Sequence, residues 1–90
     1  MPRITFTSHL ERHVACPSEV VPGQTARDAI DTYLERHPQV GPYLFDEQGM
    51  LRQHVVLFVD GEQARDRKAL SDPVSPDSEI YVMQALSGGS

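Results

Sequence analysis

Apolar and polar residues alternate near the start of the chain, which is the pattern of a β-strand with one buried face. Ile4 and Phe6 fall on one side of such a strand, Leu10 continues that side, and threonines lie between them. We therefore predict a first strand over residues 3–10. A second, short strand is predicted over residues 18–21, so that the two strands form an N-terminal hairpin.

Helical spacing follows this hairpin. The apolar positions that define one face of the predicted helix are Ala26, Ala29, Ile30, Tyr33 and Leu34. Thr25 is a suitable N-cap, and Asp28 three residues later gives a weaker version of the capping box. Pro38 disfavours helical geometry in the residue before it. The helix is therefore predicted to end near His37.

The segment over residues 38–53 has no regular spacing and carries several turn signals. Within it, Tyr43, Leu44 and Phe45 form a short apolar run. We predict that these three residues make a brief helical turn tucked under the sheet.

The strongest strand prediction is the apolar run over residues 54–59, which ends at Asp60-Gly61. An Asp-Gly pair after such a run is a signal for a β-hairpin, and Gln63-Ala64 would begin a short return strand. A charged, proline-containing loop follows. The last strand is predicted over residues 79–84.

The predicted order is strand, strand, helix, strand, short strand, strand. One helix cannot cover both faces of a sheet, so it is expected to pack across one face of a mixed sheet. This is an α+β fold with about four to five strands. We expect residues 1–84 to form the domain and residues 85–90 to form a flexible C-terminal tail.

Alternation also assigns the two sides of the last strand. If Ile80 and Val82 face the helix, Tyr81 and Met83 face solvent. In the strand over residues 54–59, the same argument turns Phe58 outward. We therefore predict an exposed apolar patch beside the tail, which would serve for docking of a protein partner. Its members are Phe58, Tyr81 and Met83, with Leu86 of the tail beside them. The alternatives are that these residues pack under a loop or are singly exposed, which is ordinary for apolar residues.

Composition narrows the function classes. The net charge is -5, apolar residues make up 39% of the chain, and the basic residues are scattered, with Lys68 the only lysine. Without a basic stripe to neutralise phosphates, nucleic acid is not an expected partner. Cys16 is the only cysteine, which excludes an internal disulfide and fits a reducing compartment. No apolar stretch has the length of a membrane span, so we expect a cytoplasmic protein that does not contact a membrane.

No catalytic or metal site is predicted. His9, His13 and Cys16 have a spacing that a metal could use, but they lie on a predicted strand and turn, and no fourth ligand is apparent. Asp60 and Glu62 lie in a predicted turn and are interpreted as solvated carboxylates.

Several fragments together resemble the MoaD/ThiS family of ubiquitin-like sulfur carriers. The matching fragments are Phe58-Val59-Asp60-Gly61-Glu62, Leu70 before Asp72-Pro73, Asp77-Ser78-Glu79-Ile80-Tyr81-Val82, and Ala85-Leu86-Ser87-Gly88-Gly89. The chain departs from the family pattern where Asp60 replaces Asn and Ser78 replaces Gly. It also lacks the pair of prolines before the tail, and Ser90 follows the glycine pair.

The resemblance implies a β-grasp fold and a carrier that is not itself an enzyme. In such carriers a partner activating enzyme uses ATP to adenylate the carboxylate of the second glycine, here Gly89, and sulfur then converts it to a thiocarboxylate. Gly88 would give the tail access to a narrow channel. Ser90 blocks that carboxylate, so a tail-trimming peptidase is implied at the Gly89–Ser90 bond.

A sulfur-accepting biosynthetic enzyme completes the implied partners, and the resemblance implies a monomer that binds no cofactor itself. The pathway stays open among molybdopterin, thiamine, cysteine and specialised-metabolite synthesis. Two alternatives also stay open. In the first, the chain is a ubiquitin-like modifier or a non-catalytic interaction module. In the second, its last residues are only a flexible terminus of small residues.

Overall fold

The computed structural model describes residues 1–7, 10, 12, 14–66 and 69–84. Its strands and helices follow the predicted order. They are β1 (Arg3–Phe6), β2 (Glu19–Val20), α1 (Ala26–Arg36), a 3-10 turn (Pro38–Val40), α2 (Gly41–Leu44), β3 (Val55–Val59), β4 (Glu62–Gln63) and β5 (Glu79–Gln84). No helix in this described part of the chain is both long enough and apolar enough to cross a bilayer.

The strands form one mixed sheet of five strands in the order β2-β1-β5-β3-β4. The central pair, β1 and β5, runs parallel, and β2, β3 and β4 each pair antiparallel with their neighbours. The chain's first and last strands therefore lie side by side at the centre of the sheet. This arrangement, with α1 as the main helix on one face, confirms the predicted β-grasp.

Helix α1 begins and ends where its capping residues predict. The Thr25 hydroxyl accepts a hydrogen bond from the Asp28 amide at 3.1 Å, which satisfies one of the free amides of the first turn. Two further amides of that turn, those of Ala26 and Arg27, donate to loop carbonyls at 2.9 and 2.8 Å. The loop before β5 therefore completes the start of α1.

One core lies between α1 and the sheet. Its largest fully buried side chains are Tyr33, Ile4, Leu10, Ile30, Leu44, Leu57, Leu70, Ile80, Val21, Val40, Val55 and Val82. The Tyr33 hydroxyl donates to the Pro17 carbonyl at 2.7 Å, which satisfies the polar end of this buried ring. All four apolar positions of α1 that lie deepest are among those predicted from helical spacing, and Leu34 is partly buried beside them.

The prediction that the first strand reaches Leu10 was wrong. Strand β1 ends at Phe6, the last residue in register with β5, and the Thr7 amide then donates to the Val82 carbonyl at 3.1 Å. The Leu10 amide donates to the Thr7 carbonyl at 3.2 Å. Leu10 is nevertheless buried, so its burial was read correctly from the pattern while its backbone geometry was not.

The prediction for residues 43–45 was wrong for two of its members, since Tyr43 lies at the surface and Phe45 has an extended backbone beyond the end of α2. Leu44 is buried, but Tyr43 is 39% exposed, and Phe45 is only partly buried against the core. A helical turn as short as α2 points successive side chains in different directions. The core therefore takes one of these apolar residues fully and leaves Tyr43 at the surface.

Gly23 is required by close packing against α1. A Cβ atom added there would lie 2.7 Å from the Ala29 amide nitrogen and 2.9 Å from its Cα, and these backbone atoms cannot move aside as a side chain would. We predict that Gly23→Ala destabilises the domain by about 1–3 kcal/mol, measured by urea denaturation. Gly41→Ala is the control, because its added Cβ meets nothing within 4 Å. Equal stability of the two variants would contradict this account of the packing.

Candidate functional site

An apolar groove of about 500 Å³ lies on the sheet. Its principal walls are Phe58 of β3 and Tyr81 of β5, which are register partners, with Met83 farther along β5. The alternate residues of β5, Ile80 and Val82, are buried in the core. The groove residues Phe58, Tyr81 and Met83 therefore point to the outer face of the sheet, as alternation predicted.

Exposure within the groove is graded. Tyr81 is 37% exposed, whereas Phe58 and Met83 are half-buried and form the deeper apolar part. The groove is also lined by Thr5 of β1, by Gly61 of the β3–β4 turn, and by Glu79 and Ile80 of β5. A concave apolar surface with an aromatic rim can receive one apolar side chain from a protein partner.

The groove lies on the strand that leads directly into the tail. Met83 is the last outward residue of β5 before Gln84, where the strand ends. The remaining predicted site residues, Leu86, Gly88, Gly89 and Ser90, lie outside the described residues. From the end of β5, five further residues reach Gly89, and a fully extended chain of that length spans at most about 17 Å. The chain length therefore keeps the Gly89 carboxylate within about 17 Å of the end of β5.

A polar cluster at one end of the groove was missed by the sequence analysis, which interpreted Asp60 as a solvated turn residue. The Asp60 carboxylate accepts hydrogen bonds from the Ser78 hydroxyl at 2.8 Å and from the Glu79 amide at 2.9 Å. Ser78 is 2% exposed, and its hydroxyl also accepts from the Ser75 amide at 2.9 Å. The turn after β3 is therefore attached to the beginning of β5.

The backbone of this turn explains why Asp is tolerated at position 60. Asp60 has φ 52° and Gly61 has φ 84°, the left-handed values that a two-residue hairpin turn of this type requires. Asp and Asn adopt this region more readily than other non-glycine residues. Asp60 and Ser78 are the two departures from the family pattern, and they contact each other. The Ser78 hydroxyl donates to the Asp60 carboxylate.

These hydrogen bonds lower the pKa of Asp60 below its ordinary value of 3.8, first through the Glu79 amide and then through the Ser78 hydroxyl. The folded state therefore holds this proton less tightly than the unfolded chain does. The resulting stabilisation is present above pH 3.8 and is lost as the pH falls through the lower folded-state pKa.

We predict that Asp60→Asn makes the acid loss of stability shallower while keeping the turn, since Asn also adopts left-handed geometry. The measurement is the urea midpoint as a function of pH, from neutral pH to about pH 3. Asp77→Asn removes the same charge from an exposed neighbour and is the control. Parallel curves for the unsubstituted chain and Asp60→Asn would contradict the assignment.

The set His9, His13 and Cys16, whose spacing a metal could use, lies mostly outside the described residues. Cys16 is buried, whereas His9 and His13 lie outside the described residues. No group of three metal-ligating side chains occurs among the residues that the structure describes.

A further carboxylate, that of Glu19 in β2, forms hydrogen bonds with His37 and Arg36 at the end of α1. These hydrogen bonds lower the pKa of Glu19, mainly through His37 and then through Arg36. This cluster joins β2 to the helix.

A profile of the ThiS family matches residues 12–89 of the chain, which includes the turn, β5 and the glycine pair. The chain belongs to the ThiS family. The match ends at Gly89, one residue before Ser90. No curated protein sequence matches the chain significantly.

Solved structures share the whole fold of this ThiS-family chain. The BexX/CysO complex of Amycolatopsis orientalis gives a TM-score of 0.81 at 22% identity, covering 99% of this chain and 100% of that chain. SAMP1 of Haloferax volcanii gives 0.78 at 24% identity, covering 98% of each chain. CysO of Mycobacterium tuberculosis gives 0.79 at 18% identity, covering 96% of this chain and 100% of that one. These likenesses confirm the ubiquitin-like β-grasp.

Proposed function

We propose that this protein is a sulfur carrier whose working group is the Gly89 carboxylate, released by removal of Ser90. The observation that carries the proposal is the ThiS-family match, which extends through Gly88 and Gly89. It is supported by the position of the outer groove on β5, the strand that leads into those glycines.

The proposed chemistry takes place on the tail inside a partner enzyme. A Gly89 carboxylate oxygen attacks the α-phosphorus of ATP, and pyrophosphate leaves. Hydrosulfide, supplied by a sulfur donor, then attacks the resulting acyl adenylate, and AMP leaves. The product is a thiocarboxylate. The role of this chain is to present the carboxylate, and glycine suits that role because its backbone passes through a narrow channel without a Cβ atom.

Gly89 can enter this chemistry only with a free carboxylate. In the chain as it stands, the Gly89 carbonyl is bonded to the nitrogen of Ser90. An amide carbonyl has no anionic oxygen to attack ATP. Cleavage of the Gly89–Ser90 bond by a peptidase therefore precedes activation in this proposal.

The outer groove is proposed as the docking surface for the activating enzyme. Phe58, Tyr81 and Met83 offer an apolar contact area on a rigid sheet, while the tail that begins after β5 delivers the carboxylate. Leu86, midway along the tail, would extend the same contact. One rigid docking surface next to one reactive end also suits a later sulfur-accepting enzyme. A BexX/CysO complex among the similar structures is an instance of a CysO assembled with a second protein.

A direct test compares two chains, one ending at Ser90 and one ending at Gly89. Each is incubated with the purified activating enzyme of the source organism and ATP, and pyrophosphate release is measured. We expect release with the Gly89-ended chain and none above background with the Ser90-ended chain. Equal activity of both chains would contradict the requirement for trimming. Failure of both would contradict the carrier function.

The second candidate function is a ubiquitin-like protein modifier. It is favoured by the similarity to SAMP1, whose Haloferax volcanii structure is described as a small archaeal modifier protein. The two functions share activation and differ in the acceptor of the Gly89 acyl group, which is sulfur for a carrier and a lysine amine for a modifier. Isopeptide-linked adducts on lysines of other cellular proteins would identify the modifier.

A further inference from the structure

Among the described residues that line the outer groove, Glu79 is the one that carries a charge. It lies on the groove's rim at the start of β5 and is exposed. Arg3 of β1 is its register neighbour. Within the described ranges, however, no ion pair reaches the Glu79 carboxylate. The groove therefore combines an apolar floor with a negative charge at one end that forms no ion pair in the described part of the chain.

The backbone of Glu79 is held in place before any partner binds. Its amide donates to the Asp60 carboxylate at 2.9 Å, and its carbonyl accepts from the Asp60 amide at 2.8 Å. Ser78 beside it is buried and hydrogen-bonded to the same carboxylate. Because this backbone is already ordered, binding of a partner costs less conformational entropy at Glu79. More of the interaction between the charges then contributes to selectivity.

A partner that covers the groove must remove water from the Glu79 carboxylate. Burial of an unpaired carboxylate is unfavourable, whereas burial opposite a cation is offset by the ion pair. A partner with an apolar or acidic group at this point therefore loses affinity. A partner with Arg or Lys there keeps the apolar contact of Phe58 and Met83 and gains a charge-assisted contact as well.

We propose that Glu79 is the specificity-determining residue of the groove. It selects an activating enzyme that places a basic side chain beside the apolar side chain entering between Phe58 and Met83. The same charge disfavours apolar and acidic competitors. This inference rests on the proposed function, since it takes the activating enzyme as the occupant of the groove.

The test uses the chain ending at Gly89 and the purified activating enzyme, with the dissociation constant measured at low and at physiological salt. Glu79→Gln keeps size and hydrogen bonding but removes the charge, and we expect about tenfold weaker binding with a reduced salt dependence. Glu79→Lys is expected to weaken binding on the order of a hundredfold, because the new lysine would face the partner's basic side chain.

The matched control is Glu62→Gln. Glu62 is an exposed glutamate of β4, one strand from the groove and not part of its lining. This substitution removes the same charge as Glu79→Gln, so a general effect of net charge would weaken the binding of both variants equally. Equal affinity of Glu79→Gln and the unsubstituted chain, or equal weakening by Glu62→Gln, would overturn the inference alone. A Gly89-ended chain that the activating enzyme neither binds nor adenylates would overturn the proposed function as well.

Discussion

Gly89→Ala, in a chain that ends at this residue, is expected to lower activation by the partner enzyme on the order of a hundredfold, because small misplacements of a reacting group have effects of that size. The added methyl group narrows the conformations open to the tail. It also enlarges the residue that must lie next to the α-phosphate. The measurement is ATP-dependent pyrophosphate release under kcat/KM conditions.

Ser87→Ala is the control for this substitution, since it changes a tail residue without adding a Cβ atom. We expect it to be activated at nearly the rate of the unsubstituted chain. Gly88→Ala should behave like Gly89→Ala, because both residues would pass through the same channel. Activation of Gly89→Ala at the unsubstituted rate would show that the glycine pair is only a small-residue terminus.

Truncation of the groove gives the second large expected effect. Phe58→Ala and Met83→Ala should each weaken binding to the activating enzyme by about 2 kcal/mol, or about thirtyfold, as expected for central apolar residues of an interface. Both side chains are half-buried on the outer face, so the core between α1 and the sheet remains intact. Binding is measured by isothermal titration calorimetry with the Gly89-ended chain.

Val20→Ala is the matched control for the groove. Val20 is an apolar residue of β2 with 39% exposure, and it does not line the groove. Its truncation should leave affinity within about twofold, because scattered surface apolar residues contribute little. Urea denaturation of every variant separates lost binding from lost folding. Unchanged affinity in both Phe58→Ala and Met83→Ala would show that the enzyme docks elsewhere.

The parts of the fold that were predicted well are those fixed by neighbours in the sequence. Thr25 and Pro38 set the two ends of α1 through capping and local sterics. Asp60-Gly61 set the hairpin through its left-handed backbone. The alternation after Ser78 placed the last strand over residues 79–84, as observed, and assigned its outward side chains correctly.

The parts that were missed depend on residues far apart in the sequence. The end of β1 is decided by its parallel partner β5, because Phe6 and Val82 are their last register pair. No sequence pattern near Leu10 indicates where this pairing stops. The role of Asp60 depends on Ser78, a residue 18 positions away. A signal for it existed, because both positions depart from the family pattern, and paired departures are what a compensating contact produces.

For the candidate site, the sequence alone predicted the outward set Phe58, Tyr81 and Met83 from strand alternation. It did not predict the groove between them, because concavity depends on sheet twist and on the turn at Gly61. It also did not single out Glu79, whose importance comes from its position on the rim rather than from its immediate sequence. The chemistry of Gly89 rests on the family match, since the tail lies outside the described residues.

The carrier function is tested most directly by the intact mass of the protein after co-expression with its genomic neighbours. The account predicts a chain that ends at Gly89, with Ser90 lost and one terminal oxygen replaced by sulfur. Treatment with an alkylating reagent would increase the mass of the thiocarboxylate species and leave the mass of a chain with an ordinary carboxylate unchanged. A mass that retains Ser90 and contains no added sulfur, in cells that supply the activating enzyme and the peptidase, would contradict the claim that Gly89 carries sulfur.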